Sequence, residues 1–294
     1  MTEIIAVETR YVYDSYTDLR RLFDLAKFPS CYVDEIDLSK PVVYIIAPCN
    51  GELRPHLDNQ AGRQRNAHLI LWNIERPSGD GSVGRYGESN RRLMYGLRDD
   101  GSPAPGRYVD EVWVSDRRLA EETTLRFVPL GSRPDFAKPG GDKRWDAAHI
   151  SYAIPRRQTI YKEIENMAPS QLVTNGQVPT CWGDARDEVL RQSRFSLAIH
   201  QDCAPYIEPL RMSIFAAYGL PTLCETSFDP HPYGGDTVAF ASFDQIVPVL
   251  RRMLASDYQF WKEMGLRCRN LMTEEFEFGK VVREAVRQSV GDWR

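Results

Sequence analysis

Along the first 130 residues, apolar runs of strand length alternate with stretches whose apolar residues recur at helical spacing. Runs at 4–7, 42–47, 68–73, 112–115 and 125–130 read as strands, with 19–26 and 90–97 read as helices among them. Alternation of this kind predicts a parallel sheet covered by helices on both faces. A Pro- and Gly-rich polar segment, 131–141, interrupts the rhythm and reads as an interdomain linker. The pattern then restarts with a strand at 147–153, a helix at 156–167, a strand around Leu172 and a helix at 185–192. From 243 to 290, Val247, Leu250 and Leu254, then Phe260 and Met264, and finally Phe276, Val281 and Val282 predict two or three amphipathic helices.

The best-marked stretch is 195–225. A strand-like run, 195–200, leads through a Pro-bearing turn to helical spacing of Ile207, Leu210, Ile214 and Phe215 over 208–218, and 221–225 reads as the next strand. Gly219 is placed to supply a left-handed C-cap, and Pro221 prevents the helix from continuing. In an open parallel sheet such a unit aims its helix N-terminus at the ligand crevice, where free N–H groups and the helix dipole favour phosphate. Arg211, in the first turn, carries a fork suited to phosphate or carboxylate. The plainer alternative puts Arg211 on a solvated face of an ordinary repeat.

Composition narrows the class. With 294 residues, 42% hydrophobic and 27% charged, the chain can bury one large or two ordinary cores. No run reaches the roughly 18 apolar residues of a membrane span, and the opening residues do not read as a signal peptide, so the expected location is cytoplasmic. Six cysteines, Cys31, Cys49, Cys181, Cys203, Cys224 and Cys268, lie far apart without metal-ligand spacing and read as free thiols. A net charge of −4 removes the simplest argument for nucleic acid. Local groups such as Arg54, Arg63, Arg65, Arg85, Arg91 and Arg92 still leave a basic groove open.

In open α/β sheets ligands bind beyond the carboxyl ends of the strands, so the polar residues after each apolar run are the first candidates. In the first half these are Asn50–Glu52, Asn73–Pro77 and Ser115–Arg117; Glu52, Glu75 and Asp116 are candidate general bases, with helix capping as the alternative for each. In the second half they are Ser151 and Tyr152 with Arg156 and Arg157, then Asn175–Gly176, then His200–Asp202. Two arginines at a helix start oppose the dipole, which points to an anion, unless they pair with Glu163, Glu165 or Asp146. His200 reads equally as a ligand contact or a satisfied core histidine.

These residues resemble glycosyltransferases of the GT-B architecture, in the broad group of CgeB-like and group 1 enzymes. Residues 211–225, RMSIFAAYGLPTLCE, are similar to the family segment R-x-x-E-A-x-A-C-G-x-P-x-L-x-E, and the order of elements in both halves follows the same plan. The resemblance implies an α/β fold of two Rossmann-like, doubly wound domains facing each other, with C-terminal helices. It divides the chain into 1–140, binding acceptor, 141–272, binding nucleotide sugar, and 273–294, a helix packing back towards the first domain. The Glu-x7-Glu pair of retaining members is absent, its positions being Tyr206 and Ile214, so ribose recognition would fall to Glu208 or Glu225.

What the resemblance implies is hexosyl or related transfer from a nucleotide-diphosphate sugar, a UDP-sugar first among them, to an acceptor hydroxyl. Ser151, Tyr152, Arg156, Arg157, His200, Glu208, Pro209, Leu210, Arg211 and Glu225 would bind the donor, and one of Glu52, Glu75 and Asp116 would act as base. No metal and no further cofactor is expected, because the arginines would stabilise the leaving diphosphate and the chain has no D-x-D motif. The acceptor stays open among a modified DNA base, reached through a basic first-domain cleft, a small molecule in an apolar pocket near Trp72 and Trp113, and a glycan. The alternative is a nucleotide-sugar-binding protein of the same fold that has lost turnover.

Overall fold

The apolar runs of the chain form two all-parallel sheets. The structure, a computed structural model, describes residues 2–8, 17–46, 53–60, 64–74, 109–123, 125–151, 154–167, 172–174, 183–200 and 206–291. It divides into two compact units, Met1–Leu130 with Gly279–Arg294, and Gly131–Phe278.

The first unit carries β1 (Ile4–Glu8), β2 (Ser30–Tyr32), β3 (Val43–Ile46), β4 (His68–Asn73), β5 (Glu111–Val114) and β6 (Arg126–Phe127) in the order β2-β1-β3-β4-β5-β6. Every residue of β3 and nearly every one of β4 is buried, as expected for strands covered on both faces. Helices α1 (Thr17–Leu25), α2 (Leu53–Asn59) and α3 (Arg117–Thr123) follow their strands. The three-residue β2 and the short α2 were not anticipated from the pattern, because neither is long enough to show a period. The helix expected at 90–97 lies outside the described residues. The final helix of the chain belongs to this unit beyond its first residue, and Arg283 in it donates to the Ala26 carbonyl at 2.9 Å and lies 4.9 Å from the Phe28 ring.

The second unit carries β7 (Trp145–His149), β8 (Leu172–Thr174), β9 (Ser193–Ala198), β10 (Thr222–Glu225) and β11 (Ala239–Ala241) in the order β11-β10-β9-β7-β8. Counted within each unit, the six-stranded sheet runs 2-1-3-4-5-6 and the five-stranded sheet 2-1-3-4-5, each with the strand order reversing beside its first strand. That reversal is a topological switch point, here between β7 and β9. Helices α4 (Pro155–Glu165), α5 (Gly183–Arg191) and α6 (Pro209–Ala217) lie between the strands; α7 (Ile246–Ala255), α8 (Tyr258–Asn270) and α9 (Phe278–Val290) follow. The segment 131–141 is anchored within the second unit. Ser132 accepts from Phe278 N–H at 2.8 Å and donates its own N–H to Met272 at 3.0 Å, and Phe136 is buried.

The stretch 208–221 ends as its sequence predicts. Gly219 has φ 63°, its N–H bonds the Ala216 carbonyl at 2.8 Å, and Leu220 N–H bonds the Phe215 carbonyl at 3.2 Å, the two bonds of a Schellman motif. Gly265 of α8 lets that turn approach: a Cβ there would stand 2.4 Å from the Gly219 carbonyl oxygen. Phe260, expected on an apolar face, is instead 54% exposed and packs edge-on to Trp261.

Candidate active site

The carboxyl ends of β7, β9 and β10 bring five charged side chains and a serine together. Arg157, in the first turn of α4, is 1% exposed; its Nε donates to the Ile199 carbonyl at 3.0 Å and a terminal nitrogen to Glu208 at 2.9 Å, and it also bonds the Ser151 hydroxyl. Arg211, in the first turn of α6, donates to the same hydroxyl at 2.9 Å and pairs with the other oxygen of Glu208. Ser151 Oγ thus receives two guanidiniums, and the Glu208 carboxylate bridges them. The solvated-face alternative for Arg211 does not hold, since the side chain is 14% exposed and turned towards Ser151.

A second pair lies beside the first. Arg156 grips Glu225 at the end of β10 with both terminal nitrogens, one at 2.9 Å, donates to the His200 carbonyl at 3.1 Å, and lays its face 3.9 Å from the Phe243 ring. Glu225 also accepts from His200 N–H at 3.0 Å. Its oxygens accept from both protein donors, which ties Arg156 to the strand end. The arginines found their partners in Glu208 and Glu225, far along the chain, and Asp146 pairs with Arg194.

Among the described residues, three guanidiniums and two carboxylates make up this cluster. The electrostatics follow. Burial, then the neighbouring Arg211, lowers the Arg157 pKa to about 10. His149, the last residue of β7, is fully buried and held well below the ordinary histidine value by burial and by Arg211 and Arg157, so it is neutral; its Nδ1 lies 2.6 Å from the Tyr161 hydroxyl. Burial likewise lowers His200, whose Nε2 meets the Thr226 carbonyl at 3.3 Å. Burial raises the Cys224 thiol, which keeps it protonated and unreactive.

Glu208 is the N-cap residue of α6, but its side chain makes no capping bond, and Pro209 occupies the first helical position. The carboxylate that would ordinarily satisfy the first N–H groups is spent on the arginines. Leu210 follows, half-buried. Tyr206, two residues upstream, meets Phe228 edge-to-face at 5.5 Å, and Phe228 is 53% exposed. Ile214 is buried, and its apolar side chain can accept no hydrogen bond.

In the first unit, Asp116 stands just before α3 and its carbonyl accepts from Ala120 N–H at 3.1 Å. Glu52, Glu75 and Tyr152 lie outside the described residues, as do Asn50, Asn175 and Gln201–Asp202 and, in the basic group, Arg63, Arg85, Arg91 and Arg92. Trp72 and Trp113 are both fully buried and stack edge-on at 5.6 Å. The pattern did not single out His149, Tyr161 or Phe243. His149 ends a strand just as His200 does, and the same strand-end rule would have found it. Among the described residues no cluster of metal-binding side chains and no helix long and apolar enough to cross a membrane is present.

No protein-family model matches the chain, and no curated protein matches it by sequence. Solved structures do match in shape. Anabaena HepE in complex with UDP-glucose superposes with a TM-score of 0.60 at 6% identity, covering 97% of this chain and 100% of that one. A trehalose-6-phosphate synthase, studied with bisubstrate glycomimetics for glycosyl transfer with retention, gives 0.58 at 9%, covering 98% and 99%. TarM gives 0.58 at 10%, covering 94% of this chain, which spans 58% of TarM's length. The fold is that of the GT-B glycosyltransferases. At these identities the likeness carries the fold, and the chemistry has to be argued from the site.

Proposed function

We propose that the protein is a glycosyltransferase that takes a sugar from a nucleotide-diphosphate donor held by the second unit. The observation that carries this reading is the convergence of Arg157 and Arg211 on Ser151 at the switch point, beside the uncapped start of α6. Buried guanidiniums side by side favour a polyanion there, and the free N–H groups of α6 add to the attraction. As the bond to the sugar breaks, negative charge grows on the diphosphate, and fixed cations in a water-poor site stabilise that charge without reorganising. The structural relatives with UDP-glucose or glycosyl-transfer ligands agree with this use of the fold.

On this reading Arg157, Arg211 and Ser151 hold the diphosphate, with Glu208, Pro209 and Leu210 forming the start of the helix beneath it. Arg156, Glu225 and His200 keep the strand ends in place, and Tyr152 joins the donor contacts. The exposed ring of Phe228, backed by Tyr206, offers an apolar face to a ring of the donor. UDP is the first nucleotide to test, and the transfer runs without a metal because the arginines supply the positive charge. One of Glu52, Glu75 and Asp116 deprotonates the acceptor hydroxyl, whether on a small molecule, a glycan or a DNA base.

The test is a calorimetric and thermal-shift screen against UDP-, GDP-, ADP- and TDP-sugars, with and without divalent cations. A single donor class should bind independently of metal, and Arg211→Ala should weaken it about ten- to a hundredfold, the loss of a charge-assisted pair. Binding indifferent to Arg211→Ala would remove the assignment. Glu52→Gln, Glu75→Gln and Asp116→Asn then separate the base, whose loss abolishes transfer while donor binding stays.

A further inference from the structure

The bridging carboxylate of Glu208 is the least settled member of the cluster. Arg157 is 1% exposed and Arg211 14%, whereas the Glu208 side chain is 38% exposed. It leaves its own helix start uncapped to reach both guanidiniums, one at 2.9 Å and the other closer. Two buried like charges need a counterion at all times, since an uncompensated guanidinium out of water is costly. Arg157 also has protein acceptors in Ile199 and Ser151, and Arg211 has Ser151. Both would therefore keep a partner if the carboxylate moved away.

We infer that Glu208 is a place-holder: its carboxylate occupies the seat of the incoming diphosphate and is displaced when the diphosphate binds. The two oxygens of Glu208 span the two arginines as two oxygens of a phosphate would. Displacement sends a half-exposed carboxylate to water at modest cost and leaves a ligand of higher charge on the same two forks. It also frees the start of α6, where the ligand gains the N–H groups that Glu208 does not cap. Glu208 is thus a positioning residue that keeps the empty site intact and sets a threshold that weak single anions do not pass. This inference rests on the proposed anion site, and it does not require that the anion carry a sugar.

The test compares the full chain with Glu208→Gln, titrating inorganic pyrophosphate and UDP by calorimetry and recording melting temperatures with and without pyrophosphate. The amide keeps the shape and loses the charge. Without ligand, Glu208→Gln should melt lower; pyrophosphate and UDP should both bind it roughly tenfold more tightly than the unaltered chain, and saturating pyrophosphate should erase the melting difference. Glu208→Asp, which keeps the charge on a shorter arm, guards against a folding failure and should bind pyrophosphate with intermediate affinity. Weaker pyrophosphate binding in Glu208→Gln would overturn the inference, because the carboxylate would then be assisting the ligand. Equal affinities, or no pyrophosphate binding to any variant, would overturn it too. Pyrophosphate binding that tightens as expected while no nucleotide sugar binds would uphold the place-holder and reject the glycosyltransferase reading.

Discussion

Ser115 in the first unit and Ser151 in the second are both buried serines just beyond a strand of a parallel sheet, and they have opposite uses. Ser115 Oγ accepts from the Trp72 indole at 2.9 Å and donates to the Val128 carbonyl at 2.9 Å, so its hydroxyl seals a core of aromatic rings. Ser151 Oγ accepts from Arg157 and Arg211, so the same group anchors charge at the proposed donor site. Backbone position is shared and the fold is shared; the partners decide whether a strand-end serine closes the core or opens a site. The difference in donors is the difference between packing and chemistry.

The largest effect expected from breaking this comparison is at Arg157. Arg157→Ala strips Ile199, Ser151 and Glu208 of a buried donor and leaves a cavity, and it should cost about 3–5 kcal/mol in urea unfolding along with donor binding. The paired serines come next. Ser115→Ala orphans the Trp72 N–H and the Val128 carbonyl and should cost about 1–3 kcal/mol, leaving pyrophosphate affinity unchanged. Ser151→Ala should weaken pyrophosphate severalfold with a smaller stability loss, because Glu208 still holds both arginines. Equal stability costs with no change in binding at either serine would erase the contrast.

The smallest effect is a pH dependence. His149 and His200 have folded pKa values below 6.5, chiefly through burial, so above pH 6.5 they are neutral folded or unfolded and contribute no slope. Below 6.5 the unfolded chain takes up protons that the folded second unit refuses. Stability therefore falls as the pH drops from 6.5 towards the folded values, by up to about 1.4 kcal/mol per pH unit for each histidine. Urea unfolding between pH 7 and 5.5 measures the slope. His149→Gln should make it shallower, and an unchanged slope would show that this histidine takes no part.

Much of the second unit was legible because its signals are local. Gly219 and Pro221 end α6 by backbone geometry alone, and the spacing of Ile214 and Phe215 identifies a helix whatever surrounds it. That α6 is buried from Met212 to Ala217, with Ser213 bonding the Gly131 carbonyl at 2.6 Å, was not legible, since burial on every side depends on α8 and on the segment 131–141. Phe260 shows the converse: its spacing matched an apolar face, and packing left the ring outside.

The sequence by itself determined the alternation of strands and helices, the ends of α6, and the placement of Arg156, Arg157 and Arg211 in the first turns of two helices beside strand ends. These follow from dihedral preferences and periodicity, which act over a few residues. Tertiary structure alone decided that Arg157 meets Glu208 across 51 positions and that Arg156 meets Glu225 across 69. It also decided that Trp72 and Trp113 are fully buried and meet edge-on. Such choices turn on which charges share a low-dielectric edge and which rings fill the same volume, and those neighbours exist only once the strands are laid side by side.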